Sequence, residues 1–231
     1  MKRNEEIEKL IGEASTIFKE EASSNYSKFK FLPEWVNAEA KYFQSERQIP
    51  IRNYKVYQRG ALVMVDFGVG IGGELSGNHF AVVLNKNDSP KNRVLTVIPI
   101  SSKSNRFTVE IDGLIRDKSQ KIIQELQHKL EQDFSMKQAA FDAKEQVFID
   151  EIDNFYYMEI QHLFKLNSLN LLFQNYERFN KKSYAKCLDI TTISKDRIIY
   201  LNKYDPCGKI KVSNDTLTKI DTALKHHFII D

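Results

Sequence analysis

Between a glycine-rich run, Gly68-Val69-Gly70-Ile71-Gly72-Gly73, and the apolar stretch Phe80-Ala81-Val82-Val83-Leu84, the chain carries Glu74, Ser76, Gly77, Asn78 and His79. An imidazole has an unperturbed pKa of about 6.5, so it can take or give a proton near neutral pH. A loop mounted on strands holds such a group on a rigid scaffold while leaving it within reach of a substrate. Glu74 is suited to orienting the loop or His79. Backbone amides in glycine-rich turns bind anions, which makes Gly73, Ser76 and Gly77 candidates for contact with a phosphate.

Other chemistries fit the residues less well. The glycines formally match the dinucleotide-binding G-x-G-x-x-G, and Asp88 stands twenty residues beyond Gly68. That fingerprint needs a helix after the glycines to face the pyrophosphate, whereas Gly77 and the β-branched run up to Leu84 predict a strand. No Gly-Lys-Ser/Thr follows, so the phosphate-cradling loop of nucleotidases is absent. The five histidines form no helical pair around a glutamate, and Cys187 and Cys207 are too far apart for a metal-binding knuckle, so neither a metal nor another cofactor is expected. Asp150, Glu151 and Asp153 cluster on a helical pattern and read as a solvated face. His226-His227 falls near the end of a helix and suits its C-terminal dipole or solvent.

The elements that must hold these groups follow from hydrophobic period. Ile7, Leu10, Ile11, Ala14 and Phe18 recur at three and four, which predicts a helix over 4–19. A second helix is expected after Pro33 and should stop before Pro50, with Trp35 as a packing anchor. Strands are expected at 59–67, 80–84, 94–100 and 107–111, separated by glycines and by the Asn87–Pro90 turn. From 114 to 182 glycine and proline all but vanish, and Ile123, Leu126, Leu130, Phe148, Ile152 and Phe155 lie at helical spacings. This block has slightly more acidic than basic residues and is a poor surface for a polyanion. Ser183 to Ile193 then reads as one strand, Ile198 to Leu201 as a shorter one, and Ser213 as the cap of a last helix bearing Leu217, Ile220, Ala223 and Leu224.

Bulk properties narrow the setting. A net charge of +3 permits a polyanionic partner without arguing for one. Two cysteines are too few for a disulfide framework and fit free thiols in a reducing compartment. The N-terminal pattern is charged and helical rather than that of a secretion signal, and no apolar run nears the roughly 20 residues that cross a bilayer. A cytoplasmic protein away from membranes is expected.

Arg59-Gly60 before a strand ending Val-Asp-Phe, then Gly-Gly-Glu-Leu-Ser-Gly-Asn-His, Phe-Ala-Val-Val-Leu and Thr-Val-Ile-Pro-Ile-Ser-Ser-Lys occur in an order that resembles the MazF/PemK toxins. Their pattern is R-G-D-hydrophobic, G-S-E-Q-x-G-x-R-P and P-I-T-S. Thr191-Thr192-Ile193-Ser194-Lys195-Asp196-Arg197 is similar to the family's R-T-I-D-K-x-R, and the terminal helix is similar to its last helix. The resemblance implies an α+β fold, an SH3-like small β-barrel from 56–112 plus 183–231. An N-terminal helical extension (1–55) and a long helical insertion (113–182) are added to it. It implies a homodimeric endoribonuclease that cleaves single-stranded RNA without a metal, and a cognate antitoxin bound over the active groove.

Position by position, His79 falls where the family has a catalytic arginine and Ser101 where it has a threonine. Lys186, Cys187 and Leu188 fall on its R-C-D, with Asp189 next in line, and Thr191 takes the place of the arginine in R-T-I. Attack by a ribose 2′-hydroxyl needs a proton acceptor, a proton donor and stabilisation of the added charge. His79 is the expected acid or base, Ser101 a hydrogen-bond donor to phosphate, and Lys186 a cation for the developing charge, with Glu74 in support. Arg59, Gly73, Ser76, Gly77, Ser102, Lys103, Thr191 and Thr192 are the expected substrate contacts. Two other functions suit the same resemblance: a nucleic-acid-binding or regulatory protein whose nuclease is altered by loss of the arginine, and a gyrase inhibitor like the related CcdB.

Overall fold

The computed structural model describes residues 2–48 and 53–229. Helices α1 (Lys2–Ala22) and α2 (Leu32–Gln48) come first, joined through a 3₁₀ turn at Phe29–Phe31. The stop expected at Pro50 lies outside the described residues. Strands β1 (Leu62–Asp66), β2 (Asn78–Val83), β3 (Val94–Ser101) and β4 (Thr108–Glu110) follow. Then come α3 (Ile115–Asp142), α4 (Ile149–Glu177), β5 (Tyr184–Lys186), β6 (Thr191–Ser194) and α5 (Asn214–Phe228). The last helix starts as its sequence predicts, the Ser213 hydroxyl accepting a hydrogen bond from Thr216 N–H at 3.1 Å.

The strands make one six-stranded antiparallel sheet in the order β1-β2-β3-β5-β4, with β6 also paired to β3. The expected strand over 183–193 is two short strands. A 3₁₀ turn at Cys187–Asp189 divides them, and the register on β3 jumps from Ile100↔Ala185 to Val97↔Thr191. Three residues is an odd number, so the turn reverses which face each following residue takes. The strand expected at 198–201 is reduced to a single bridge, Ile198↔Val65. With Ile199 N–H on Met64 O (2.9 Å) and Leu62 N–H on Ile210 O (2.9 Å), it covers the outer edge of β1. The sheet thus curls toward its own edge through isolated bonds, without a continuous closing ladder among the described residues.

Alternation along the strands separates two cores. Leu62, Phe80, Val82, Ile98 and Ile100 face α3, α4 and α5, which supply Ile123, Leu169, Leu172, Tyr176 and Ile220. Val63, Val65, Ala81, Val83, Leu95, Val97 and Ile193 face the inside of the curl, closed by Tyr57, Ile198 and Cys207. A buried ion pair ties its rim: Lys195 Nζ reaches both Asp88 oxygens at 2.8 and 2.7 Å and the Lys55 carbonyl at 3.0 Å. Burial acts to raise the Asp88 carboxyl, but bonds from Lys195 and from the N–H groups of Tyr57 and Ser89 outweigh it and hold it below the ordinary carboxylate range.

Candidate functional site

The glycine run is a closed loop between β1 and β2, leading into a strand and not a helix. Its neck is made by Phe67 N–H on Gly77 O (3.0 Å) and Gly77 N–H on Gly68 O (2.7 Å). Inside it, Ile71 N–H donates to Glu74 Oε2 at 2.9 Å and Gly70 N–H to Ser76 Oγ at 3.0 Å. Glu74 and Ser76 therefore shape the loop. At Gly68 no side chain fits, because its φ is +70° and a Cβ would stand 2.4 Å from the Trp35 ring. Trp35 is the packing anchor expected of it, and what it anchors is the loop.

His79 is the second residue of β2, half-buried, with Nε2 3.1 Å from Ser76 O and its backbone opposite Val65. The β2–β3 ladder runs Val83↔Val97, Val82↔Ile98, Ala81↔Pro99 and ends there. Proline has no N–H to donate, so the two strands are free to part beyond it. Two residues further on each strand stand His79 and Ser101, on the same face as Ala81 and Pro99 by alternation. Lys186 joins that face. Ile100 opposes Ala185, both in the helix-covered core, so their neighbours Ser101 and Lys186 point to the other side. The Ser101 hydroxyl oxygen accepts from Lys103 N–H at 3.1 Å, which leaves its own proton to be donated. Lys186 is ion-paired with Asp189.

Between the glycine loop and the segment after β5 lies a cleft of about 520 Å³, lined by Gly73, Glu74, Pro99, Asp189, Thr191, Thr192 and Arg197 among others. The face-reversing turn at Cys187–Asp189 is what brings Thr191 to the same side of the sheet as Lys186. Cys187 itself is buried on the opposite side, and that burial pushes its thiol pKa up. Arg197 carries no role in the sequence reading, although it ends the quoted Thr191–Arg197 segment. It donates from Nε to the Asp66 carbonyl at 2.8 Å and lies 5.0 Å over the Trp35 ring.

On the other side of the loop α2 closes in, with Tyr42 OH on Asp66 Oδ2 at 3.2 Å, and Lys28 Nζ reaches Gly72 O at 3.0 Å. A second cleft, of about 660 Å³, opens there between Lys28, Phe31 and Trp35 and the loop residues Gly68, Ser76 and Gly77. Ser102 and Lys103 follow β3 in an exposed segment. The structure does not bring Arg59 to this region. Arg59 bonds the Leu84 carbonyl at 2.5 Å and pairs with Asp221 of α5, at the far end of β2 from His79. Five residues of strand, about 17 Å, separate the two ends. His226 and His227 pack by Phe107, away from the cleft.

Residues 58–154 match the model of a family described as PemK-like, MazF-like toxin of type II toxin-antitoxin system. The matched span holds β1 to β4, α3 and the first turn of α4, so it runs into the helical block, while Lys186, Thr191 and Arg197 lie beyond it. No curated protein matches the chain.

Proposed function

We propose that the chain, whose residues 58–154 match the PemK-like, MazF-like toxins, is the toxin of a type II pair and an endoribonuclease acting on single-stranded RNA. The reaction is internal: the ribose 2′-oxygen loses its proton and attacks phosphorus, the 5′-oxygen leaves and gains a proton, and a 2′,3′-cyclic phosphate and a 5′-hydroxyl result. No metal takes part. His79 is the acid or base, Ser101 donates its hydroxyl proton to a phosphate oxygen, and Lys186 with Arg197 supplies positive charge. Glu74 and Ser76 hold the loop, and Gly73, Gly77, Ser102, Lys103, Thr191 and Thr192 contact the strand of RNA.

The observation that carries this reading is the shared face. By alternation His79, Ser101 and Lys186 share the side of the sheet from which Pro99 and Thr191 reach the cleft, and this supports the reading. The curled sheet with α5 is taken as an SH3-like barrel unit, and the helices of 1–55 and 113–182 as additions to it. The working protein is a cytoplasmic homodimer neutralised by its antitoxin. The test is incubation of the purified chain with a long unstructured RNA in chelator, with both new ends mapped. Cyclic-phosphate and 5′-hydroxyl ends are expected, and DNA of the same sequence should stay whole because it lacks the nucleophile. His79→Ala should lower the rate by about 10²–10⁴-fold with an unchanged melting curve. Cleavage by that variant at the wild-type rate would remove His79 from the chemistry.

One observation favours a second reading, a nucleic-acid-binding member of the family without catalysis. Lys186 is neutralised by Asp189, and His79 Nε2 is engaged by its own loop. RNA binding with no cleavage at any pH between 5 and 9 would select it.

A further inference from the structure

α3 and α4 form a hairpin only half of which is used by the rest of the chain. Ile115, Ser119 and Ile123 of α3 and Leu169, Leu172 and Tyr176 of α4 are buried against the sheet, but from 124 to 168 no residue is buried. The remainder of α3 beyond Ile123 extends about 28 Å. Along it the two helices hold each other through Phe134 against His162 (ring centroids 4.2 Å) and Phe141 against Phe155 (4.3 Å). Opposite that seam, α4 carries a second apolar stripe. Ile149, Tyr156, Tyr157, Ile160, Leu163, Phe164 and Leu171 are each between 50% and 79% exposed. A helix apolar on both faces belongs inside a bundle, and two helices alone cannot supply one.

The geometry points to a second copy of this chain as the occupant, packed antiparallel through α4 about a two-fold axis at Ile160 to complete a four-helix bundle. The stripe reads almost the same in both directions from that residue. Ile149 then opposes Leu171, Tyr156 opposes Phe164, Tyr157 opposes Leu163, and Ile160 meets its own copy, as an isologous interface requires. Charge fixes the direction. Asp150, Glu151, Asp153 and Glu159 all precede Ile160, whereas Lys165 and Glu177 are the only lysine, arginine or carboxylate residues of α4 after it. Parallel helices would set Asp150, Asp153 and Glu159 beside their own copies, Glu151 being held by Lys144 and the Phe148 N–H, while antiparallel ones bring these three to the amides of Asn170, Asn167 and Gln161. At roughly 100 Å² or more for each exposed large side chain, the stripe offers on the order of 800 Å² per chain, the share of one partner in a standard specific interface.

This interface is separate from the candidate site and does not depend on RNA cleavage. Light scattering on the full chain should give an even-numbered oligomer. Ile160→Lys, which puts two like charges on the axis, should halve the mass and weaken self-association at least 100-fold, with Phe164→Glu doing the same. Because both residues are exposed, circular dichroism should be unchanged. Orientation is tested by oxidising an equal mixture of Tyr156→Cys and Phe164→Cys chains. Both native cysteines, Cys187 and Cys207, are buried. A covalent dimer in the mixture, and little with either variant alone, is expected. A wild-type chain that is monomeric at tens of micromolar, or a mass unmoved by Ile160→Lys, would overturn the proposal, and strong self-linking by each single variant would overturn its antiparallel form.

Discussion

The two faces of the sheet are made from the same strands and are built on different terms. On one, Phe80, Val82, Ile98 and Ile100 lie under three helices in an apolar core that includes Leu172 and Ile220 at 1% and 0% exposure. On the other, the smaller Ala81, Val83, Leu95 and Val97 fill the inside of the curl, and the same row ends in His79 and Ser101 where the strands part after Pro99. Period two thus sorts the chain residue by residue, one set under the helices and the next inside the curl, where the proposed chemistry lies. The difference teaches that stability and activity should be separable by substitutions that are neighbours in sequence.

The hardest challenge to that division is the fully buried charge pair of the inner face. Lys195 and Asp88 side chains are 2% and 0% exposed, and removing one partner strands the other in a medium that cannot solvate it. Lys195→Ala should cost about 3–5 kcal/mol in urea unfolding, the largest stability effect expected anywhere on the inner face. A loss below 1 kcal/mol would mean that water reaches Asp88 and that the rim is open. On the helix-covered face, Leu172→Ala should cost about 2–5 kcal/mol through lost burial and the cavity left behind. The contrast sharpens if the Leu172 variant, assayed where it is fully folded, keeps the cleavage rate that His79→Ala loses. It breaks if the two variants lose activity in parallel.

The sequence disclosed the residues obeying a local period and hid those that depend on a distant partner. β1 to β4 and α5 follow from alternation, glycine breaks and the Ser213 cap. The split at Cys187–Asp189 does not, because Tyr184-Ala185-Lys186-Cys187 alternates without any glycine or proline to mark a turn. Its consequence is large, since a continuous strand would have put Thr191 on the face opposite Lys186. Nor does the sequence show where the helical block folds back on itself. The six residues from Ala143 to Phe148 contain no breaker, and α4 is started by the Phe148 N–H bonding to Glu151 Oε2 at 3.1 Å. In the site, Gly73, Glu74, Thr191 and Thr192 share a cleft, and Arg197 could have been found as the one arginine of the Thr191–Arg197 segment. That α2 lays Trp35 on Gly68, and that Arg59 belongs to α5, are facts of tertiary packing to which no spacing points.

The smallest effect expected is at the seam where the sheet meets α5. Asp112, just past β4, accepts from Ser213 N–H at 2.9 Å and from the Thr216 hydroxyl at 2.8 Å, and pairs with Lys118 Nζ at 2.7 Å. Burial acts to raise its carboxyl, but the bonds from Lys118, Ser213 and Thr216 prevail and hold it far below the ordinary carboxylate range. A group whose pKa is lower folded than unfolded adds stability that is complete above its unfolded value, near 3.9. That stability is lost as pH falls through the folded value. Because the side chain is 39% exposed, solvent screening discounts the pair, and Asp112→Asn should cost only about 1 kcal/mol at pH 7. The difference between the two proteins should hold steady from pH 8 to pH 5 and shrink only in more acid solution. A difference that closed between pH 7 and pH 5, above the range in which a carboxyl held so low can titrate, would detach Asp112 from the anchoring of α5 to the sheet.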